Sequence, residues 1–269
     1  MHGFPDSRAP DGAPGLAMIP GEVHLWRWIA TPDVTQIGAP LLSAPERRRA
    51  ARFQTVALEQ NYVAARGLSR HMLGLYLGCP GDKLSIEEDA KGKPRLAVPH
   101  LPFTPLEFNV THSGNIVLFA VALDMEVGVD VEQVRPLGER DGDALDLARQ
   151  SCTSTEVMAL AALRPSERPR AFARIWTCKE AVGKACGEGL GMDFRTFAVP
   201  FPETEGPAHV PAAPGRPAHA WHVTALPVGL GCEAALASTR PPAQILFGSG
   251  VPRSIAEAHA QLSAAHWPA

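Results

Sequence analysis

The sequence has no Cys-x-x-Cys pair. Its five cysteines, Cys79, Cys152, Cys178, Cys186 and Cys232, are scattered and odd in number. That spacing argues against a zinc site or a disulfide framework and fits reduced thiols in a cytoplasmic protein. No apolar run approaches the length needed to span a bilayer, and membrane partners are not expected. The first residues carry Pro5, Asp6, Arg8, Pro10, Asp11 and Pro14, which leaves no apolar core for a secretory signal. The formal net charge is −3, so nucleic acid is not expected as the main partner. There is no Gly-x-Ser-x-Gly, hence no serine-hydrolase elbow around Ser113. No internal repeat is visible.

What is present is an ordinary globular composition, 45% apolar over 269 residues, enough for one large domain or two of usual size. Basic residues are uneven: Arg47, Arg48, Arg49 and Arg52 fall within six positions. Residues 1–20 are Pro/Gly-rich and read as a disordered tail. Val23 to Ile29 alternates as a strand does. Ser43 and Glu46 have capping-box spacing, and a longer helical pattern runs through Tyr62, Leu68 and Met72 until Gly78. Phe108 to Gly114 and the apolar run Ile116 to Leu123 read as strands. Thr153 and Glu156 repeat the capping box. Phe194 to Val199 reads as a strand. Residues 200–217 hold six prolines, which rules out a central strand and leaves a loop or a distorted hairpin. Trp221 to Leu226 and Cys232 to Ala237 read as closing strands, and Ser254 to Glu257 opens a C-terminal helix.

Two runs carry chemistry. In Gly128-Val129-Asp130-Val131-Glu132 the apolar and acidic residues alternate, so Asp130 and Glu132 share one face of a strand while Val129 and Val131 enter the core. In the helical segment Arg168 to Cys186, Glu180 and Lys184 are four apart and share a face, with Trp176 one turn earlier. Three carboxylates converging from a strand and a helix would repel without a cation between them. Hard oxygen ligands in that number suit Mg²⁺, whose remaining shell a phosphate would complete. The same residues also fit a half-buried strand with solvated acids and a helix with an ordinary Glu-to-Lys pair.

Together the runs resemble the signature of the 4′-phosphopantetheinyl transferases, G-V-D-V-E followed by W-x-x-K-E-A-x-x-K, in the larger, pseudo-dimeric type. The resemblance extends to Gly92-Lys93-Pro94, to Phe108-Asn109-Val110-Thr111-His112-Ser113-Gly114 and to the basic helix from Arg47 to Arg70. It implies an α+β fold of two similar halves, each a long helix on a small antiparallel sheet, related by a pseudo-twofold, in a monomer. We place the halves at 21–124, binding coenzyme A phosphates, and 125–269, with the metal site, the Pro-rich loop and the C-terminal helix.

The resemblance further implies a cytoplasmic, Mg²⁺-dependent enzyme. It would transfer phosphopantetheine from coenzyme A to a serine of an apo acyl or peptidyl carrier protein, in secondary-metabolite or fatty-acid synthesis. By the same likeness Asp130, Glu132 and Glu180 hold the metal. Glu180 and Lys184 are catalytic, and Arg49, Arg66, Lys93, Thr111, His112 and Lys184 contact coenzyme A. Lys179 is left between a nucleotide contact and a solvated position. Leu190 and Met192 fit a carrier-docking tip and core packing equally. A Mg²⁺-dependent phosphohydrolase and a non-catalytic binding module remain as alternatives.

Overall fold

The computed structural model describes residues 15–89, 92–97, 106–134, 144–262 and 267. The expected tail over residues 1–14 lies outside them. Residues 15–20 belong to the packed fold, contrary to expectation: Leu16 is buried, and its amide donates to the Leu75 carbonyl.

The chain opens with strand β1 (Glu22–Ile29), then helices α1 (Pro32–Gly38), α2 (Ala44–Ala50) and α3 (Val56–Leu77). Ser43 and Glu46 form the expected reciprocal capping box at α2, and Gly78 closes α3 in the left-handed conformation. A short hairpin, β2 (Ser85–Glu88) and β3 (Pro94–Ala97), precedes β4 (Leu106–Ser113), β5 (Ile116–Leu123) and β6 (Val127–Gln133). Then come α4 (Ala144–Ser151), α5 (Ser154–Ala161) and α6 (Arg168–Ala185), the strands β7 (Glu205–Val210), β8 (His219–Leu226), β9 (Cys232–Ser238) and β10 (Gln244–Ser249), and α7 (Ile255–Leu262).

These elements make an α+β fold of two like halves. One sheet has the order β10-β1-β5-β4 and the other β6-β9-β8-β7. The outer face of the first sheet, with Trp26, Trp28, Phe108 and Phe119, packs under α3 through Leu68, Met72 and Leu73. The outer face of the second, with Trp221, Val223, Ala235 and Ala237, packs under α6 through Ile175, Cys178, Ala181 and Val182. The inner faces meet each other: Val23, Leu25, Leu118 and Ala120 pack on Val127, Val129, Val131 and Leu236. The result is four layers, helix, sheet, sheet, helix, with β4 and β6 at neighbouring edges.

Three expectations change. The chain after residue 238 does not stay with the second half: β10 pairs in parallel with β1, and α7 buries Ala258 and Leu262 in the first half's core. Its apolar face finds an open sheet edge there, a long-range pairing that leaves no trace in local sequence. Phe194 to Val199 is not a strand; Phe194–Thr196 is a single 3₁₀ turn, because a buried lysine gathers its carbonyls, as described below. The Pro-rich stretch takes the hairpin form. β7 pairs only with β8, so Pro207 sits on an edge where its missing N–H costs no ladder bond. No helix among the described residues is long and apolar enough to cross a membrane.

Candidate active site

β6 runs along the seam between the halves, and its alternation works as the sequence predicts. Val127, Val129 and Val131 enter the inter-sheet core, so Gly128, Asp130 and Glu132 face α6 and β4. Gly128 lets the helix lie directly on the strand: a Cβ there would stand 2.2 Å from the Ala181 carbonyl oxygen. That close approach puts Glu180 and Lys184, one turn apart, over the acids.

The seam is held by side chains. The two sheets share no strand pairing between β4 and β6 among the described residues. Three alternate residues of β4 reach across instead. Asn109 Oδ1 accepts from the Val129 amide at 3.0 Å. Thr111 Oγ1 donates to Asp130 Oδ1 at 3.0 Å. Ser113 Oγ donates to Glu132 Oε2 at 2.8 Å and accepts from the Gln133 amide at 3.1 Å. Asn109 and Ser113 were not singled out from sequence. Their signal was the strand period, which places them on the face of Thr111.

Asp130 is 3% exposed. Lys184 Nζ donates to its Oδ1 at 2.5 Å and to Thr111 Oγ1 at 2.9 Å. Oδ2 of Asp130 is buried without a hydrogen-bond partner. Burial pushes the Asp130 carboxyl above the usual range, against the pull of Lys184. Glu180 is pushed up to about 7, by burial first and then by the charges of Asp130 and Glu132, with Lys184 opposing. Glu180 therefore senses both Asp130 and Glu132. Among the described residues no three His, Cys, Asp or Glu side chains are already gathered as a metal-ligand cluster. The donor chemistry nonetheless fits a hard divalent cation: three carboxylates, one of them with an orphaned buried oxygen.

Beside the acids lies a cleft of about 330 Å³ whose lining includes Arg49, Tyr62, Arg66, Lys93, His112 and Lys184. Five basic residues spread from position 49 to position 184 thus face one space. They come from α2, α3, the turn before β3, β4 and α6. Arg49 lies over the Tyr62 ring at 5.7 Å, and Arg66 donates to Glu88 at 2.7 Å. His112 is exposed, its imidazole pKa lowered by burial of the ring's surroundings and then by Lys184, while Asp130 acts in the opposite sense. Lys93 is buried, and its ammonium donates to the Ala185 carbonyl at 2.6 Å, tying the turn before β3 to the C-terminus of α6. Burial lowers its pKa. Just beyond, Gly187 (φ +73°) ends α6 with Gly187 and Glu188 amides donating to Lys184 and Gly183 carbonyls, the Schellman closure. Thr111, expected at phosphate, has its hydroxyl engaged between Asp130 and Lys184.

Lys179 neither solvates the helix nor faces the cleft. It is fully buried, paired with Glu156 at 2.9 Å, and donates to the carbonyls of Phe194 and Phe197 at 2.8 and 2.6 Å. These bonds curl residues 194–197 over α6. Glu156 in turn closes the capping box with Thr153 and accepts the Val199 amide at 2.9 Å. Met192 is in the core rather than at an exposed tip; the Leu190 side chain lies outside the described residues.

Both halves of the chain match known proteins. Residues 26–124 match the family "4′-phosphopantetheinyl transferase, N-terminal", and residues 126–236 match the "4′-phosphopantetheinyl transferase superfamily". The chain is 33% identical over 226 residues to 4′-phosphopantetheinyl transferase HetI of Nostoc sp., covering 83% of this chain and 90% of that one. It is 29% identical over 165 residues to 4′-phosphopantetheinyl transferase psf-1 of Bacillus pumilus, covering 61% and 66% of the two chains. It is 24% identical over 171 residues to the L-aminoadipate-semialdehyde dehydrogenase-phosphopantetheinyl transferase of Rattus norvegicus, covering 62% and 55%. With both halves matched in order and the acid-bearing seam inside the second match, the chain belongs to the 4′-phosphopantetheinyl transferase superfamily and is an enzyme of the larger, two-halved type.

Proposed function

We propose that the protein transfers 4′-phosphopantetheine from coenzyme A to a serine of an apo acyl or peptidyl carrier protein, with Mg²⁺ as cofactor. The observation that carries this is the junction, at Lys184, of a cleft lined by basic residues with Glu180 and the two carboxylates that raise its pKa, Asp130 and Glu132. A polyanionic donor fits the cleft, and the acids beside it fit a divalent cation.

In this reading Arg49, Arg66, Lys93 and His112 bind the phosphates of coenzyme A, and Thr111 holds Asp130 and Lys184 at the diphosphate end of the cleft. Asp130, Glu132 and Glu180 would hold Mg²⁺, which when bound neutralises diphosphate oxygens. The chemistry is displacement at phosphorus: a serine oxygen–phosphorus bond forms and the diphosphate bridge breaks, releasing adenosine 3′,5′-bisphosphate. Glu180, at the junction of the metal site and the cleft, is the side chain placed to accept the serine proton. Lys184 stabilises negative charge on the diphosphate as the bridge breaks.

The test is mass spectrometry of purified apo-carriers from fatty-acid, polyketide and peptide synthesis, each incubated with the protein, coenzyme A and Mg²⁺. One added phosphopantetheine on a carrier is the expected result. Coenzyme A consumed without any carrier would show a hydrolase instead.

A further inference from the structure

Lys184 stands at a boundary. On one side its ammonium is 2.5 Å from Asp130 Oδ1 and 2.9 Å from Thr111 Oγ1, while Thr111 closes the triangle to the same carboxylate oxygen at 3.0 Å. On the other side it lines the cleft with Arg49, Arg66 and His112. A lysine stem is flexible enough to serve either side by bond rotation alone. The acids at this point are not gathered as a ready ligand cluster among the described residues, and Asp130 already carries a cation.

We propose that Lys184 is the resident counter-ion of the carboxylate site in the free protein, so that the divalent cation enters together with the diphosphate rather than before it. This rests on the metal-site reading above. A bare divalent cation on the unpartnered Oδ2 would share one carboxylate with an ammonium that Asp130 Oδ1 and Thr111 both hold, so repulsion between the two cations opposes its entry. A diphosphate in the cleft supplies another anion for the ammonium, so its arrival frees Asp130 for the metal. The coupling is reciprocal: whatever factor the diphosphate adds to metal affinity, the metal adds to diphosphate affinity.

Mn²⁺ binding, followed by electron paramagnetic resonance and titration calorimetry without carrier protein, tests this, since nothing is then transferred. Lys184→Met should bind Mn²⁺ alone about tenfold tighter than wild type, and coenzyme A should tighten Mn²⁺ binding by a smaller factor in the variant than in wild type. Thr111→Val keeps every charge but removes the hydroxyl that steadies the lysine, and should gain about threefold. It decides the matter alone if Lys184→Met fails a thermal-melt check of folding. Mn²⁺ affinity equal to or below wild type in the folded variants overturns the proposal. Absence of Mn²⁺ binding by wild type and variants alike, even with coenzyme A, takes down the metal-site reading and the proposal together.

Discussion

Gly128 lies beneath Ala181 at a separation that admits no side chain. A Cβ at Gly128 would stand 2.2 Å from the Ala181 carbonyl oxygen and 2.4 Å from the Ala185 amide nitrogen. Both are backbone atoms of α6 and cannot turn aside. Gly128→Ala should therefore lift the helix from β6 and carry Glu180 and Lys184 with it. The expected cost is about 2–3 kcal/mol in denaturant unfolding, with transfer activity reduced by far more than the remaining folded fraction explains. Wild-type stability and activity would mean the helix has slack that the packing denies.

Glu180 should make stability depend on pH. Its carboxyl is raised to about 7 in the folded protein, against 4.5 for the free group. The folded state thus holds a proton that the unfolded state has released between these values. Below 4.5 the group costs nothing; the cost grows as pH rises and is complete above about 7. Glu180→Gln should accordingly unfold at higher denaturant than wild type at pH 8, with the advantage gone near pH 4. An advantage independent of pH would place its origin elsewhere.

Lys93 and His112 line one cleft but should fail differently. His112 is exposed, and His112→Ala should raise the coenzyme A requirement with stability within about 0.5 kcal/mol of wild type. Lys93 also satisfies the Ala185 carbonyl, so Lys93→Ala should raise the same requirement and lose about 1–3 kcal/mol of stability. Steady-state kinetics and denaturation on both variants give the comparison. A larger effect on maximal rate than on coenzyme A requirement would move either residue into the chemistry.

Lys179→Met should leave Glu156 buried and uncompensated and free the carbonyls of Phe194 and Phe197. The expected loss is about 3–5 kcal/mol. A double variant with Glu156→Gln should recover part of it, since the unpaired charge is then removed. No recovery would show that the carbonyl bonds, not the ion pair, dominate.

The helices and most strands were legible because each is written locally. Capping pairs at Ser43/Glu46 and Thr153/Glu156 and the glycine stops at Gly78 and Gly187 depend on neighbours within a few positions. The acidic face of β6 was legible from period two alone. What escaped lies in long-range pairing. Nothing near Gln244–Ser249 announces a partner some 220 residues upstream in β1, although the short apolar run Ile245-Leu246-Phe247 was there to read. Lys179 was misplaced because a charged residue on a helix is normally solvated, and its three acceptors come from α5 and the 194–197 turn. The proposed phosphate-binding residues needed the family likeness to be chosen among ten arginines and lysines between positions 47 and 95; their meeting in one cleft is a property of the fold.

The most direct measurement is the rate of phosphopantetheine transfer to an apo-carrier, with coenzyme A and Mg²⁺, by wild type, Glu180→Gln and Asp130→Asn, each first shown to be folded. The account predicts that both variants lose at least about a thousandfold in rate and that chelating the metal silences wild type as well. A Glu180→Gln enzyme within about tenfold of wild type would contradict it.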